Sequence, residues 1–200
     1  MGDNMKGKLY YLYGAMSSLK SGQLLCKQHQ FEQCGCHTIL LKPSFDTRDT
    51  GVIKSRAMKD EKECTTFSDV DDLTIVIGNL LKDERNNVVF VDEVSFMNPK
   101  QIKQLWQASR DYGISIFCYG LKTNYKNELF EASKELFIYA DKVEEIKSMC
   151  SYCNNKATTH LRFIGDKPIF DGDSCIVGDV AGEEHYKSVC QECWHKHLNI

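Results

Sequence analysis

Short, unbroken apolar runs alternate with helical patterning along the first three quarters of the chain, and this alternation narrows the possible folds more than any other feature. The runs are KLYYLY (8–13), TILLK (38–42), VVFVDE (88–93), ISIFCY (114–119) and the segment 141–146. An apolar run without polar alternation fits a strand buried on both faces. Helical patterning covers 21–33, 70–82, 99–112 and 127–139. Asn98 reads as a helix cap and Pro99 as the first helical residue. Strands alternating with helices predict an α/β fold with a parallel sheet covered on both faces. The polar stretch 44–63 has little periodicity and reads as a mobile surface loop. Near Met149 the alternation stops, and a Cys-, Gly- and Asp-rich stretch with short strand-like pieces follows. The expected division is therefore 1–148 for the α/β domain and 149–200 for a small C-terminal domain.

Composition narrows the partners. The 200 residues carry a net charge of -3, with 42% hydrophobic and 26% charged residues. That is enough apolar material for a core. A protein that grips nucleic-acid backbones usually has a basic excess, so no nucleic-acid partner is expected. No apolar stretch approaches the roughly 18 residues of a membrane span. MGDNMKGK runs into the first strand without an apolar leader, and Lys6 stands where myristoylation from Gly2 needs Ser or Thr. The expectation is a soluble, cytoplasmic protein with no membrane partner.

The first strand leads into Gly14-Ala-Met-Ser-Ser-Leu-Lys20-Ser21. A phosphate-binding loop takes the form G-x-x-x-x-G-K-[ST] between a strand and a helix. Backbone amides and the helix N-terminus face the phosphates, Lys neutralises charge and Ser holds magnesium. Here Leu19 replaces the second glycine, so the loop taken alone is also compatible with an ordinary strand–turn–helix. VVFVDE adds a buried strand ending in Asp92-Glu93. Such an Asp serves magnesium in phosphate-loop enzymes, and Glu93 is placed to act as a base. The alternative is a pair of solvated strand-end acids.

Ten cysteines need a separate account. Four form the C-x-x-C pairs Cys150/Cys153 and Cys190/Cys193, with residues 154–189 between them. Two such knuckles fold onto one tetrahedral zinc with four thiolates. His195 and His197 are spare beside a complete four-Cys set. Cys26, Cys34, Cys36, Cys64, Cys118 and Cys175 are scattered, and most read as buried or partly buried thiols.

These motifs, in this order, resemble the zinc-containing thymidine kinases of the cellular, bacterial and phage type. The resemblance spans about residues 8–197 and rests on YGAMSSLKS, KPSFDTRD, VVFVDEVSF, CYGLKTNYKNELF, MCSYC and the VG…Y…SVCQEC ending. It implies a phosphate-loop α/β domain with a small zinc domain that carries a lasso loop. It also implies transfer of the ATP γ-phosphoryl group to the 5′-hydroxyl of thymidine, with deoxyuridine as a possible acceptor. Carried over by position, Gly14, Ala15, Met16, Ser17, Ser18, Leu19, Lys20 and Ser21 cradle the triphosphate, and Ser21 with Asp92 handles Mg2+. Glu93 orients and deprotonates the hydroxyl, and Asp46 and Arg48 assist at the phosphates. Ser95 falls on the donor side, where the family usually has Gln. Met16, Phe96, Leu121, Tyr125 and Phe130 wall the nucleoside, with core packing the alternative for the two phenylalanines. Tyr125, in a Thr-Asn-Tyr-Lys turn, reads less as core. Ser174, Cys175, Ile176, Val177 and Gly178 form the lasso, and Tyr186 approaches the sugar. The resemblance further implies structural Zn2+, a homotetramer and dTTP as feedback inhibitor. Two alternatives stay open: a relative that binds nucleoside or nucleotide but is impaired by Leu19, and a zinc-ribbon adaptor.

Overall fold

The computed structural model describes residues 7–44, 51–55, 58, 60–82, 86–172 and 184–198. Strand β1 (Leu9–Gly14) runs into helix α1 (Lys20–Gln33) and strand β2 (His37–Pro43). Strands β3 (Val52–Ser55), β4 (Asp60–Glu63) and β5 (Thr65–Phe67) precede α2 (Leu73–Leu80) and β6 (Asn87–Val91). A 3-10 turn, Val94–Phe96, leads to α3 (Pro99–Asp111), β7 (Ser115–Gly120), α4 (Glu131–Tyr139) and β8 (Lys142–Ile146). The remaining elements are β9 (Ser148–Met149), β10 (Lys156–Ala157), β11 (Thr159–Ile164), β12 (Lys167–Ile169), β13 (Glu184–Val189) and α5 (Gln191–Leu198).

The main sheet has the order β5-β2-β6-β7-β1-β8, and every pairing in it is parallel. Successive side chains of a strand point to opposite faces, and here both faces are apolar. Leu9 and Tyr11 of β1, Val89 and Val91 of β6, and Ile116 and Cys118 of β7 pack with residues of α2, α3 and α4. Tyr10, Leu12, Val88, Phe90, Phe117 and Tyr119 pack on the other face with Leu24 and Leu25 of α1. This double burial is why the strands read as unbroken apolar runs. Asn98 caps α3 in a full capping box with Gln101, and Pro99 opens the helix.

Two expectations need correction. Part of the stretch 44–63 is regular structure: β3 pairs antiparallel with β4, and Ile53 is fully buried in the α1-side cluster. One apolar residue among many charged ones anchors that pair, so composition alone hides it. The helix expected from 127 begins at Glu131 instead. Before it, the Asn124 side chain accepts from the backbone N–H groups of Lys126 and Glu128, and Asn127 takes φ 65°. That Asx turn satisfies the backbone locally and competes with the helix. After Lys147 the described strands form separate small sheets, β10-β9 and β12-β11-β13. No helix among the described residues is long and apolar enough to cross a membrane.

Candidate active site

Gly14 ends β1 at the carboxyl edge of the sheet, where open α/β sheets bind ligands. A Cβ there would lie 2.3 Å from Ser18 Oγ and 2.7 Å from the Ile146 carbonyl, so only glycine fits. The loop turns through two left-handed residues, Ser17 (φ 56°) and Leu19 (φ 64°). Leu19 thus adopts the backbone geometry that glycine takes without strain, at a cost of about 1–2 kcal/mol. Its side chain is 52% exposed, which puts its bulk in solvent. The Leu19 carbonyl accepts from Gln23 N–H at 2.9 Å, so α1 starts normally behind it. Lys20 is buried and its Nζ donates to the Ala15 carbonyl at 2.8 Å. Burial pushes its pKa down, while Glu93 and Asp92 pull it up. Ser18 Oγ is buried and has no hydrogen-bond partner among the described residues. A buried hydroxyl left unpaired is costly, and an anionic oxygen in this loop would satisfy it.

At the end of β6, Ser21 Oγ donates to Asp92 Oδ2 at 2.7 Å, and Glu93 N–H donates to Asp92 Oδ1 at 3.0 Å. Burial drives the Asp92 pKa up. Ser21, the Glu93 amide, and the positive charges of Lys20 and Lys42 oppose that rise. Glu93 sits at φ 53°, a left-handed strain of the kind that concentrates at functional sites. The Ser21 hydroxyl and Asp92 carboxylate are hard oxygen donors of the type Mg2+ prefers. Lys42 was missed by sequence reasoning. It is a buried lysine near the end of an apolar strand, and that mismatch was its only local signal. Ser95 lies apart from these bonds. Its Oγ accepts from Leu121 N–H at 2.6 Å and donates to the Leu121 carbonyl at 3.3 Å, bracing the end of β7.

Phe96 and Phe130 are half-buried and meet edge-on, with centroids 6.0 Å apart. Neither belongs to the apolar clusters of the described residues. Leu121 is buried, and the half-buried Met16 accepts the Ser188 hydroxyl on its carbonyl. Tyr125 departs from the expectation of a residue outside the core, being only 2% exposed. Its neighbours are polar: its OH donates to the Asp171 carbonyl at 3.1 Å, and Trp194 Nε1 donates to its carbonyl at 3.1 Å. Tyr186 OH donates to Glu184 Oε1 at 3.1 Å. Buried His160, also unforeseen, meets the Tyr186 ring edge-on at 5.9 Å. Burial, helped by the Lys20 charge, lowers its pKa to about 3. Asp46, Arg48, Ser174, Cys175, Ile176, Val177 and Gly178 lie outside the described residues.

In the C-terminal region, Cys150 and Cys153 follow β9, while Cys190 and Cys193 flank the start of α5. All four Sγ atoms lie within 4.8 Å of one another, and Cys153 is 3.7 Å from both Cys190 and Cys193. A tetrahedral zinc with bonds of about 2.3 Å places its sulfurs about 3.8 Å apart, so the set fits. Amides of Tyr152 and Cys193 point at Cys150 Sγ (3.5 Å) and Cys190 Sγ (3.4 Å). Burial would raise the Cys150 thiol, but backbone donors outweigh it and bring the pKa down to about 6. His197 is engaged through Nδ1 with the Cys193 carbonyl at 2.7 Å. Two of the scattered cysteines, Cys26 and Cys34, are exposed rather than buried.

Comparison with known proteins gives the family and the fold. The family model described as thymidine kinase matches residues 7–194. The thymidine kinase of Streptococcus agalactiae serotype Ia is 37% identical over 186 residues, covering 92% of this chain and 95% of that protein. The thymidine kinase of Streptococcus gordonii is 36% identical over 191 residues, covering 94% and 96%. A solved ATPase domain superposes with a TM-score of 0.51 at 9% identity, covering 80% of this chain and 76% of that one. That likeness speaks for the fold alone.

Proposed function

The chain belongs to the thymidine kinase family and is an ATP-dependent phosphotransferase acting on thymidine; we propose that it moves the γ-phosphoryl group to the 5′-hydroxyl, with Glu93 as the base. The observation that carries this reading is the cluster at the sheet's carboxyl edge. Ser21 and Asp92 stand 2.7 Å apart, Lys20 is buried beside them, and Glu93 is the next residue. Phosphoryl transfer asks a protein mainly for positioning and for charge stabilisation. The loop from Gly14 supplies amides and the α1 N-terminus for the phosphates, Ser18 supplies a hydroxyl, and Lys20 supplies the cation. Ser21 and Asp92 would hold Mg2+, which when bound neutralises charge on the phosphates. Glu93 holds the acceptor hydroxyl and takes its proton.

Met16, Phe96, Leu121, Tyr125, Phe130 and Tyr186 form the nucleoside pocket in this proposal, with Ser174–Gly178 covering the base and Asp46 and Arg48 assisting at the phosphates. Zinc held by Cys150, Cys153, Cys190 and Cys193 fixes the C-terminal unit, whose proposed extent is 149–200 against 1–148 for the α/β unit. Deoxyuridine as alternative acceptor, dTTP as end-product inhibitor, a homotetramer and a cytoplasmic location complete the proposal, supported by family membership. The impaired-binder reading is not favoured, since Leu19 takes the left-handed geometry with its side chain in solvent, and the adaptor reading is not favoured, since the thymidine kinase family match spans residues 7–194.

The test is thymidine phosphorylation by the purified chain with ATP and Mg2+. The parent should yield thymidine monophosphate. Glu93→Gln should lose about a hundredfold or more in turnover with circular dichroism and zinc content unchanged. Thymidine binding without product would identify a non-catalytic binder instead.

A further inference from the structure

Arg162 lies on β11, directly opposite Tyr186 of β13 in the antiparallel register. Its side chain is 7% exposed, and its Nε donates to Glu184 Oε1 at 2.6 Å; Glu184 is 8% exposed. The same Glu184 oxygen accepts Tyr186 OH at 3.1 Å. On its other side the guanidinium lies over the Tyr125 ring, 5.2 Å from the centroid, with Nη1 3.5 Å from the Tyr125 hydroxyl. A Cβ on Gly172 would stand 3.4 Å from that same Nη1. One buried cation therefore links two tyrosines from different parts of the molecule: Tyr125, which follows β7, and Tyr186 of the small C-terminal sheet.

We propose that Arg162, through Glu184, is a positioning residue for thymidine, setting the distance between the Tyr125 and Tyr186 hydroxyls without touching substrate. This rests on the nucleoside pocket named above. A buried ion pair seldom gains stability over apolar residues of the same volume. The pair's contribution here is geometric: a planar fork addresses a carboxylate on one edge and an aromatic face on the other, which lysine cannot reproduce.

The experiment is steady-state kinetics on full-length Arg162→Met, Arg162→Lys and the double variant Arg162→Met/Glu184→Leu, with zinc content and thermal midpoint measured alongside. Arg162→Met should raise the thymidine KM about tenfold or more, leaving the ATP KM and zinc content nearly unchanged. Arg162→Lys should recover only part of that loss. The double variant removes the stranded carboxylate, so its midpoint should recover while the thymidine KM stays high. If the KM returns with the midpoint, never moves, or moves equally for ATP, the pair is merely structural and the positioning role is overturned. Tyr125→Phe and Tyr186→Phe separate the two levels of the argument. If neither shifts the thymidine KM, the pocket is misplaced and the positioning role falls with it. If either does while Arg162→Met does not, the pocket stands and only the role of Arg162 is lost.

Discussion

The main sheet and the C-terminal region solve the problem of holding a site in opposite ways. The sheet has an apolar cluster on each face, and the phosphate loop and Asp92-Glu93 emerge from strands already locked between them. Among the described residues, the C-terminal cluster has six buried members: Cys150, Leu161, Phe163, Val189, Cys190 and Cys193. Half of those are the proposed metal ligands. A cluster of that size offers little to offset the entropy of ordering its chain, so in the proposed reading zinc would be its central packing element. In the same reading, geometry at the phosphate loop depends on burial, whereas geometry at the proposed nucleoside pocket depends on coordination and on ion pairs such as Arg162–Glu184.

The sharpest way to break this contrast is Cys190→Ser. Loss of one thiolate from a four-thiolate site should abolish stoichiometric zinc and raise the thymidine KM by about tenfold or more, structural zinc contributing much of a small unit's folding energy. The ATP KM should move far less. Elemental analysis and kinetics on one preparation decide it; full zinc with full activity would remove the four-thiolate site.

Acidification probes the contrast less drastically. His160 is held neutral with a pKa of about 3, whereas the unfolded chain protonates it below about 6.5. Between those values the unfolded state binds more protons, so stability falls as the pH drops through the window. Its slope from this group reaches about 1.4 kcal/mol per pH unit. His160→Asn should flatten the stability profile by that amount between pH 6 and about 4, read by denaturant melts. An unchanged slope would mean that the native state already accommodates the charge.

The smallest effect is expected at Leu19. Leu19→Gly removes left-handed strain but enlarges the unfolded ensemble, so stability should rise by no more than about 1 kcal/mol. The ATP KM should stay within about twofold, since a shift of that size is near 0.4 kcal/mol. A large drop in ATP KM would show that the leucine obstructs the phosphates.

Much of the sheet could be read from the chain because its signals are local. Both-face burial writes itself as VVFV and SIFCY, and the start of α3 as Asn98-Pro99. The phosphate loop and both cysteine pairs are contiguous motifs. What escaped reading depends on partners distant in sequence. Lys42 is buried near Asp92, the Arg162–Glu184 pair spans 22 positions, and Tyr125 is enclosed by Asp171, Arg162 and Trp194. No window of neighbouring residues announces such contacts. The strands within 44–63 were hidden because Ile53 is the single fully buried apolar anchor of β3.

Strand β6 carries a last implication. Val88, Val89, Phe90 and Val91 are all buried, at 5% exposure or less. A half-wet strand tolerates polar exchange at every second position, but this one has no permissive register. A saturation scan across it should show continuous intolerance rather than a two-residue rhythm. The acidic pair at its tip therefore rides on a stem that drift cannot easily re-aim, while the neighbouring loop, with Leu19 facing water, has room to vary.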